Sequence, residues 1–217
     1  MTIMTSCDGY ISARSIANIR DRSAEQYDNE RRLKSSLCVA KKPIDPQIYL
    51  MNMLIEYANV NIHSLSYSEE YYIPNTDENI QAYTLDIVSA VRRDDLDTLK
   101  RFKEAGRNFQ CRNKVGESLI HIACRRGSTE VVRFLIETGC SIRVKDDCGR
   151  TPFHDALWLA RPNFDLIALL IHHDAKLLLA KDNRGFYPFA YAPRDHSGDW
   201  IRFLKQKRTQ ICSNILQ

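Results

Sequence analysis

The sequence lacks the motifs by which most enzyme classes and metal sites are recognised. Its 217 residues contain no G-x-x-x-x-G-K phosphate loop, no G-x-G-x-x-G dinucleotide fingerprint and no H-E-x-x-H zinc motif. The seven cysteines form no C-x-x-C pair, and their odd number and scattered spacing match no zinc site. We therefore expect a protein that is not an enzyme and that uses neither a cofactor nor a metal ion.

Long apolar runs are missing too. No run of roughly 18 apolar residues occurs, so the sequence predicts no membrane span. The start of the chain also lacks the apolar core of a secretory signal. Scattered cysteines suit a reducing compartment, where most of them behave as small buried hydrophobic residues. The expected location is therefore the cytoplasm or the nucleus.

One segment is devoid of basic residues. Residues 49–83 contain no Lys or Arg, five acids and six of the ten tyrosines, whereas residues 84–217 carry 23 basic and 16 acidic side chains. Residues 1–48 are close to balanced, with eight basic and six acidic side chains. An asymmetry this sharp indicates an interaction of the acidic segment, either within the chain or between chains.

The same boundaries suggest four regions. Residues 1–48 form a weakly structured or helical extension that ends near Pro43 and Pro46. Residues 49–83 comprise the end of a short apolar run, QIYLMNMLIEY, which predicts a buried helix packed against the rest, and a polar, acidic, tyrosine-rich loop. Residues 84–207 form a repeat domain, and residues 208–217 form a C-terminal tail.

A repeated pattern dominates the second half of the chain. Residues 116–123 (GESLIHIA) and 149–156 (GRTPFHDA) share one pattern and start 33 residues apart, and a fourth unit begins at Gly185 after a 36-residue spacing. A fixed period of this size is the signature of a stacked array, because a single unit cannot bury its own apolar face. We therefore predict an all-α solenoid of about four helix–turn–helix units.

The residues of each unit fit this architecture. Gly149 permits the backbone twist of a tight turn. Thr151 can then cap a helix, and Pro152 occupies the first helical position, where its missing N–H costs nothing. The second helix ends at a glycine such as Gly139, which is a common helix stop.

Residues 149–154 (GRTPFH) resemble the T-P-L-H helix start of the ankyrin repeat, with Phe153 in place of Leu. Residues 130–139 (EVVRFLIETG) resemble the second helix and terminal glycine of that family, and residues 147–158 are similar to ankyrin proteins of diatoms and related stramenopiles. The resemblance covers residues 84–207. It implies a non-enzymatic module that binds another protein with its concave inner face and its turn tips.

His121 and His154 occupy the same repeat position. The resemblance implies that they are structural and bond the backbone of adjacent turns. A catalytic role is the alternative, but neither histidine has a Ser or Cys nucleophile at the matching position of its neighbour.

The candidate partner-binding residues lie at the ends of the first helices and at the turn tips. Arg92 and Arg93 occupy the repeat positions of Arg125 and Arg126, so stacking should align the four arginines in one strip on the concave face. Arginines and an adjacent Trp are typical of protein-binding hot spots. Alternatively, the arginines only stabilise helix C-termini. The predicted set is Arg92, Arg93, Lys114, Val115, Arg125, Arg126, Asp147, Cys148, Arg150, Trp158, Arg184 and Arg194.

An acidic or phosphorylated protein segment is the expected partner, because arginine binds carboxylates and phosphates through paired hydrogen bonds. A further hypothesis is that residues 59–83 fold over the concave face and mask it. Two alternatives stay open. The basic repeat surface and the cluster at residues 205–208 (KQKR) could serve a nuclear, nucleic-acid-associated protein, or the array could be a permanent structural subunit of a complex.

Overall fold

Ten α-helices carry the fold in residues 44–58 and 68–216, the part of the chain that this computed structural model describes. These residues belong to one compact unit, residues 43–217, while a second unit, Met1–Lys42, lies outside the described residues. The helices are α1 (Pro46–Ala58), α2 (Asp77–Gln81), α3 (Leu85–Arg92), α4 (Leu96–Glu104), α5 (Leu119–Arg126), α6 (Thr129–Glu137), α7 (Pro152–Leu157), α8 (Phe164–Asp174), α9 (Ser197–Gln206) and α10 (Arg208–Leu216).

Helices α3 to α8 form three successive pairs. Helix α3 packs on α4, α5 on α6 and α7 on α8, and each first helix also packs on the first helix of the next pair. The interior is largely apolar, and Leu99, Ala123 and Leu135 have no exposed surface. Burial of each such leucine stabilises the fold by roughly 2 kcal/mol. The predicted all-α repeat architecture is confirmed.

Three turns of one design precede α5, α7 and the short 3₁₀ helix Pro188–Tyr191. In each turn, one side-chain oxygen accepts hydrogen bonds from the backbone N–H groups two and four residues later, at 2.8–3.1 Å. The backbone N–H of the same residue donates to the carbonyl four residues later, at 2.9–3.0 Å. Asn and Asp favour such turns because their short side chains bond their own backbone. The three residues are Asn113, Asp146 and Asp182.

Two buried histidines tie each turn to the next. Nε2 of His121 lies 3.0 Å from the carbonyl oxygen of Arg150, and Nε2 of His154 lies 3.2 Å from that of Phe186. A carbonyl can only accept, so Nε2 carries the proton and donates. Nδ1 then accepts from the backbone N–H of the helix cap, which is Ser118 for His121. The structural role expected for both histidines is confirmed.

The fourth repeat departs from the prediction of a regular helix pair. Two 3₁₀ helices, Pro188–Tyr191 and Arg194–His196, stand where an α-helix was expected. Pro193 accounts for the difference, because it has no N–H to donate and would break an α-helix through this position. The second helix of the repeat, α9, is regular and buries Trp200 against Phe164 and Phe203.

Helices α1 and α10 cover the fourth repeat. Helix α1 packs on α9, on α10 and on the 3₁₀ helix Pro188–Tyr191, so the predicted apolar helix exists and lies at the far end of the array. Residues 208–216 were expected to be a tail. They instead form α10, which buries Ile211, Cys212 and Ile215 against α8 and α1. These three side chains share one face of a single short helix, and so short an apolar pattern does not predict a buried helix from the sequence.

Residues 68–76 form a strap that runs back along the array towards its first repeat. Tyr71 donates a hydrogen bond to Asp174 in the third repeat, at 2.5 Å. Further along, the carbonyl of Ile73 accepts from the Arg112 guanidinium at 2.7 Å, and the Asn75 amide donates to Asn113 at 2.9 Å. The acidic segment therefore interacts within the chain.

Basic side chains hold this strap. Arg143 lies over the ring of Tyr71, and Lys145 lies over the ring of Tyr72 and pairs with Glu69 at 2.6 Å. Arg143 also pairs with the buried carboxylate of Asp174 at 2.6 Å. Cations stacked on aromatic rings contribute roughly 0.5–2 kcal/mol each. The strap is thus an acidic, aromatic segment docked on a basic edge of the array.

We predict that Gly149→Ala destabilises the protein by about 2 kcal/mol or more. Gly149 has φ +76°, and an added Cβ would lie 2.8 Å from the backbone nitrogen of Asn183 in the next turn. Urea denaturation would measure the loss. Gly185→Ala is the matched control, since Gly185 has φ +84° but no atom within 4 Å of its added Cβ. Equal losses in the two variants would contradict the close approach of the turns.

We also predict that the melting temperature falls as the pH is lowered from about 7.5 to about 5.5. Burial lowers the pKa of His121 and of His154 in the folded chain. Histidine in an unfolded chain titrates near 6.5, so the unfolded chain takes up protons first. The stabilising contribution of the neutral rings is therefore complete above about pH 6.5 and is lost below it.

Nuclear magnetic resonance of the imidazole nitrogens would check this assignment. Both rings should remain neutral, with the proton on Nε2, while the melting temperature declines. Rings that titrate near pH 6.5 in the folded protein would contradict it.

Candidate functional site

Five of the predicted partner-binding residues meet in one cavity between the turns before α7 and before Pro188–Tyr191. The cavity has a volume of about 410 Å³. We call it the tip cleft. It is lined by Asp147, Cys148, Arg150, Trp158 and Arg184, all of them predicted, and by Asn183 and Tyr191.

Trp158 is the most exposed aromatic group of the tip cleft. It lies at the C-terminus of α7, and 54% of its surface is exposed. Tyr191 contacts its ring edge-on at 5.8 Å between centroids, and the Arg150 guanidinium lies 6.0 Å from its centroid. A large aromatic side chain that is held from two sides loses little freedom on binding, which favours a role as a binding anchor.

A charged network forms the wall of the cleft on the last turn. Tyr191 donates to the buried carboxylate of Asp182 at 2.6 Å, and Arg184 donates to the Tyr191 oxygen at 2.7 Å. Burial alone would raise the pKa of Asp182, but hydrogen bonds from Tyr191 and from two backbone N–H groups outweigh it and lower that pKa. Arg184 stays exposed to solvent and retains donors that face outward.

Arg125, which belongs to the predicted strip, is already bound by two acidic side chains. Its guanidinium donates to both oxygens of Asp155, at 3.2 and 3.1 Å, and to Glu117 at 2.8 Å. The hydrogen bond to Asp155 is the largest cause of its raised pKa. Asp155 has no exposed surface, so the pair compensates a buried charge. Arg150 is similarly committed, to Asp146 at 2.6 Å.

The remaining predicted residues fall into three places. Arg92, Arg93 and Arg126 are exposed at the ends of α3 and α5, and within residues 44–58 and 68–216 they form no ion pair. Lys114 and Val115 line a separate cavity of about 620 Å³ beside the strap, which Asp147 also borders. Arg194 lines a cavity next to α1.

Three residues of this region were missed by the sequence analysis. Tyr191 and Asn183 belong to the tip cleft, and Asp155 anchors Arg125. Tyr191 stands 36 residues after Asp155, the spacing that relates the third and fourth turns. That spacing marks the position, but only the three-dimensional contacts reveal its partners.

The strap does not cover the predicted arginine strip. Its hydrogen bonds and ion pairs reach Arg112, Asn113, Arg143, Lys145 and Asp174, which lie at the ends of second helices or in the loops that follow them. Residues 68–76 therefore give the masking hypothesis no support, because Glu69 pairs with Lys145 and the hydrogen bonds of the strap lead to these loops rather than to the arginines. Residues 59–67 lie outside the described residues.

Comparison with known proteins agrees with the repeat geometry. Residues 87–180 match the family model for ankyrin repeats, with three copies. This part of the chain therefore carries ankyrin repeats. The matched copies correspond to the three helix pairs α3 to α8, and the divergent fourth repeat lies beyond the match.

Several known proteins resemble part of the chain. A transient receptor potential cation channel, subfamily V member 5, of Rattus norvegicus is 34% identical over 103 residues, which are 44% of this chain and 14% of the channel. Rabankyrin-5 of Mus musculus is 36% identical over 77 residues, 36% of this chain and 6% of that protein. A probable 26S proteasome regulatory subunit, p28, of Saccharomyces cerevisiae is 32% identical over 92 residues, 42% of this chain and 40% of the subunit.

The chain thus spans less than half the length of these relatives. Because only part of each relative is matched, the similarity does not extend to the activity of the whole protein. In the described part of the chain, no helix combines the length and apolar character needed to cross a membrane.

We predict that Arg125→Met destabilises the protein by about 2 kcal/mol, because it leaves the buried carboxylate of Asp155 without its partner. Chemical denaturation would measure the loss. Arg126→Met is the matched control, since Arg126 is the next residue and is exposed. Combining Arg125→Met with Asp155→Leu should recover part of the loss. An Arg125→Met variant as stable as the control would contradict the pairing.

Proposed function

We propose that this ankyrin array is a non-enzymatic protein-interaction module that binds an acidic or phosphorylated segment of a partner protein. Ankyrin repeats are protein-binding modules, and stacked repeats present extended surfaces. The bound segment would lie along the exposed ends of the first helices and across the tip cleft.

The observation that carries this proposal is Trp158, an exposed aromatic ring held by Tyr191 and Arg150 inside a cleft between two turns. An immobilised Trp surrounded by arginine is the composition that dominates protein-binding energetics. The cleft would take an apolar or aromatic side chain of the partner, and the exposed face of Arg184 would take an adjacent acidic one.

Three arginines extend the surface beyond the cleft. Arg92, Arg93 and Arg126 are exposed and carry charge that no acid of the described chain pairs. They are therefore available for paired hydrogen bonds to a carboxylate or phosphate. Arg125 and Arg150 would contribute mainly by fixing neighbouring groups, because their guanidinium groups already bind Asp155 and Asp146.

The test is affinity purification from the native cell with quantitative mass spectrometry. The triple variant Arg92→Glu, Arg93→Glu, Arg126→Glu should lose the captured partner at least ten-fold, while its thermal melt stays in place because these side chains hold nothing in the fold. Trp158→Ala should weaken capture independently, with a cost of roughly 2 kcal/mol or more.

A charge-matched control separates a specific surface from general attraction. The variant Arg101→Glu, Arg133→Glu, Arg202→Glu makes the same charge change on the exposed sides of α4, α6 and α9. It should retain the partner. Equal loss in both triple variants, or retention in both, would overturn the proposed surface.

A further inference from the structure

The ladder of turns has an open end. The backbone N–H of Asp147 donates to the carbonyl of Val115 at 2.8 Å, and that of Asn183 donates to the carbonyl of Cys148 at 2.9 Å. The next acceptor in this series is the carbonyl of Arg184, which receives no hydrogen bond from the described chain. The last turn therefore presents an unused backbone acceptor at the position where the earlier turns each bind a neighbour.

The last turn is also apolar where the earlier turns are polar. Phe186 stands at the position of Glu117 and Arg150 and is 49% exposed. Ala190 stands at the position of His154 and is exposed as well. The last turn therefore keeps the shape of a repeat, but it lacks the histidine that would bind a following turn.

Helix α1 supplies the opposite wall of this open end. Ile48 on α1 is 58% exposed, and Met51 and Ile55 follow on the same face, one and two turns later. Together with the last turn they border a cavity of about 800 Å³. We call this cavity the end groove. Its volume lies in the range of ligand sites, and its lining is largely apolar, as in such sites.

A buried amide without a partner adjoins the end groove. Gln47 lines the cavity and its surface is only 8% exposed. Within residues 44–58 and 68–216, neither its side-chain nitrogen nor its side-chain oxygen has a hydrogen-bond partner. Buried polar groups are nearly always paired, so this exception calls for an explanation. An amide that needs both a donor and an acceptor is complementary to the backbone of an extended peptide.

The charges at the rim limit what can bind. Arg184 and Arg194 lie on the array side of the end groove, both exposed, while Asp45 lies beside the start of α1. The side chain of Asp45 already accepts from the backbone N–H of Gln47 at 2.7 Å, as a helix cap. This hydrogen bond does not neutralise Asp45, and Arg184 is already paired with Asp182, so Arg194 is the rim cation that has no ion pair among the described residues.

We propose that the end groove binds a short, extended peptide segment of a partner protein. Its backbone continues the ladder of turns by donating to the Arg184 carbonyl and by pairing with the Gln47 amide. An apolar side chain packs between Ile48 and Phe186, and an acidic side chain next to it faces Arg194.

This inference goes beyond the proposed function. The end groove shares Trp158, Arg184 and Tyr191 with the tip cleft, but its test uses Ile48, Phe186 and Gln47, which do not line the tip cleft. Failure of these variants to weaken peptide binding is therefore distinguishable from failure of the Trp158 and arginine variants to weaken partner capture.

Selection from a library of random dodecapeptides displayed on phage tests the proposal, with the full chain as bait. A selected peptide is synthesised with a fluorescent label, and its binding is followed by fluorescence anisotropy. Ile48→Asp and Phe186→Asp should each weaken it at least ten-fold, because both place a charge in the apolar wall. Both side chains are exposed in the free protein, so the variants should fold, which circular dichroism verifies.

Matched variants distinguish the end groove from other surfaces. Leu85→Asp introduces the same charge at another exposed hydrophobic residue, 84% exposed on α3, and should leave binding unchanged. The arginine triple variant of the proposed function should also bind the peptide normally. If selected peptides bind the Ile48→Asp and Phe186→Asp variants as well as the original protein, the proposal is overturned.

A substitution of Gln47 should change the stability of the free protein and its peptide affinity in opposite directions. Gln47→Met removes an unsatisfied buried amide at similar volume, so it should raise the melting temperature of the free protein and lower its peptide affinity at least five-fold. The side-chain amide signal of Gln47 should shift on addition of peptide to the original protein. A Gln47→Met variant with lower stability and unchanged affinity would contradict the proposed pairing.

A second copy of the chain is the competing occupant of the end groove. Sedimentation equilibrium should show a monomer over the concentrations used for anisotropy. A dimer that Phe186→Asp dissociates would overturn the proposal, because it would place a second copy of the chain in the end groove.

Discussion

The structure depends on hydrogen bonds that pass from one turn to the next. Each turn is shaped internally by an Asn or Asp side chain, and the buried, neutral histidines of α5 and α7 donate to a carbonyl of the second and of the third turn. These bonds set the spacing of neighbouring turns, and the first helices behind the turns pack against one another. Burial keeps the rings neutral, and neutrality gives each ring one donor and one acceptor. The tip cleft exists because two such turns stand side by side.

The helical positions could be predicted because their cause is local. The 33-residue spacing acts at one fixed period. Gly149 before Thr151 and Pro152, and His154 five residues after Gly149, act within one repeat. The fourth repeat was harder, since Pro193 disrupts a helix that the period alone would continue. The tail was read wrongly as well, because α10 owes its order to packing against α1 and α8.

The candidate site could be predicted only in part. The structure brings five of the predicted residues, Asp147, Cys148, Arg150, Trp158 and Arg184, to one cleft, a grouping that the repeat positions did not predict. Those positions also could not reveal that Arg125 is bound by Asp155, because the same position is unpaired in another repeat and the distinction lies in the neighbouring helix. The course of the strap was equally inaccessible, since Tyr71 and Asp174 are 103 residues apart. A period describes what repeats share, while binding surfaces are built from the positions at which they differ.

The strap and α1 together should change how the array unfolds. In an open solenoid each repeat touches only its neighbours, so the ends can fray while the middle survives. Here the N-terminal part of the described chain covers the last repeat and then reaches back to the first, with a contact across 103 residues. Unfolding of the last repeat would therefore also remove contacts that the strap makes with the earlier repeats. The expected behaviour is a single cooperative unfolding event, reached through a slower, more non-local folding route than an open stack of the same length would take.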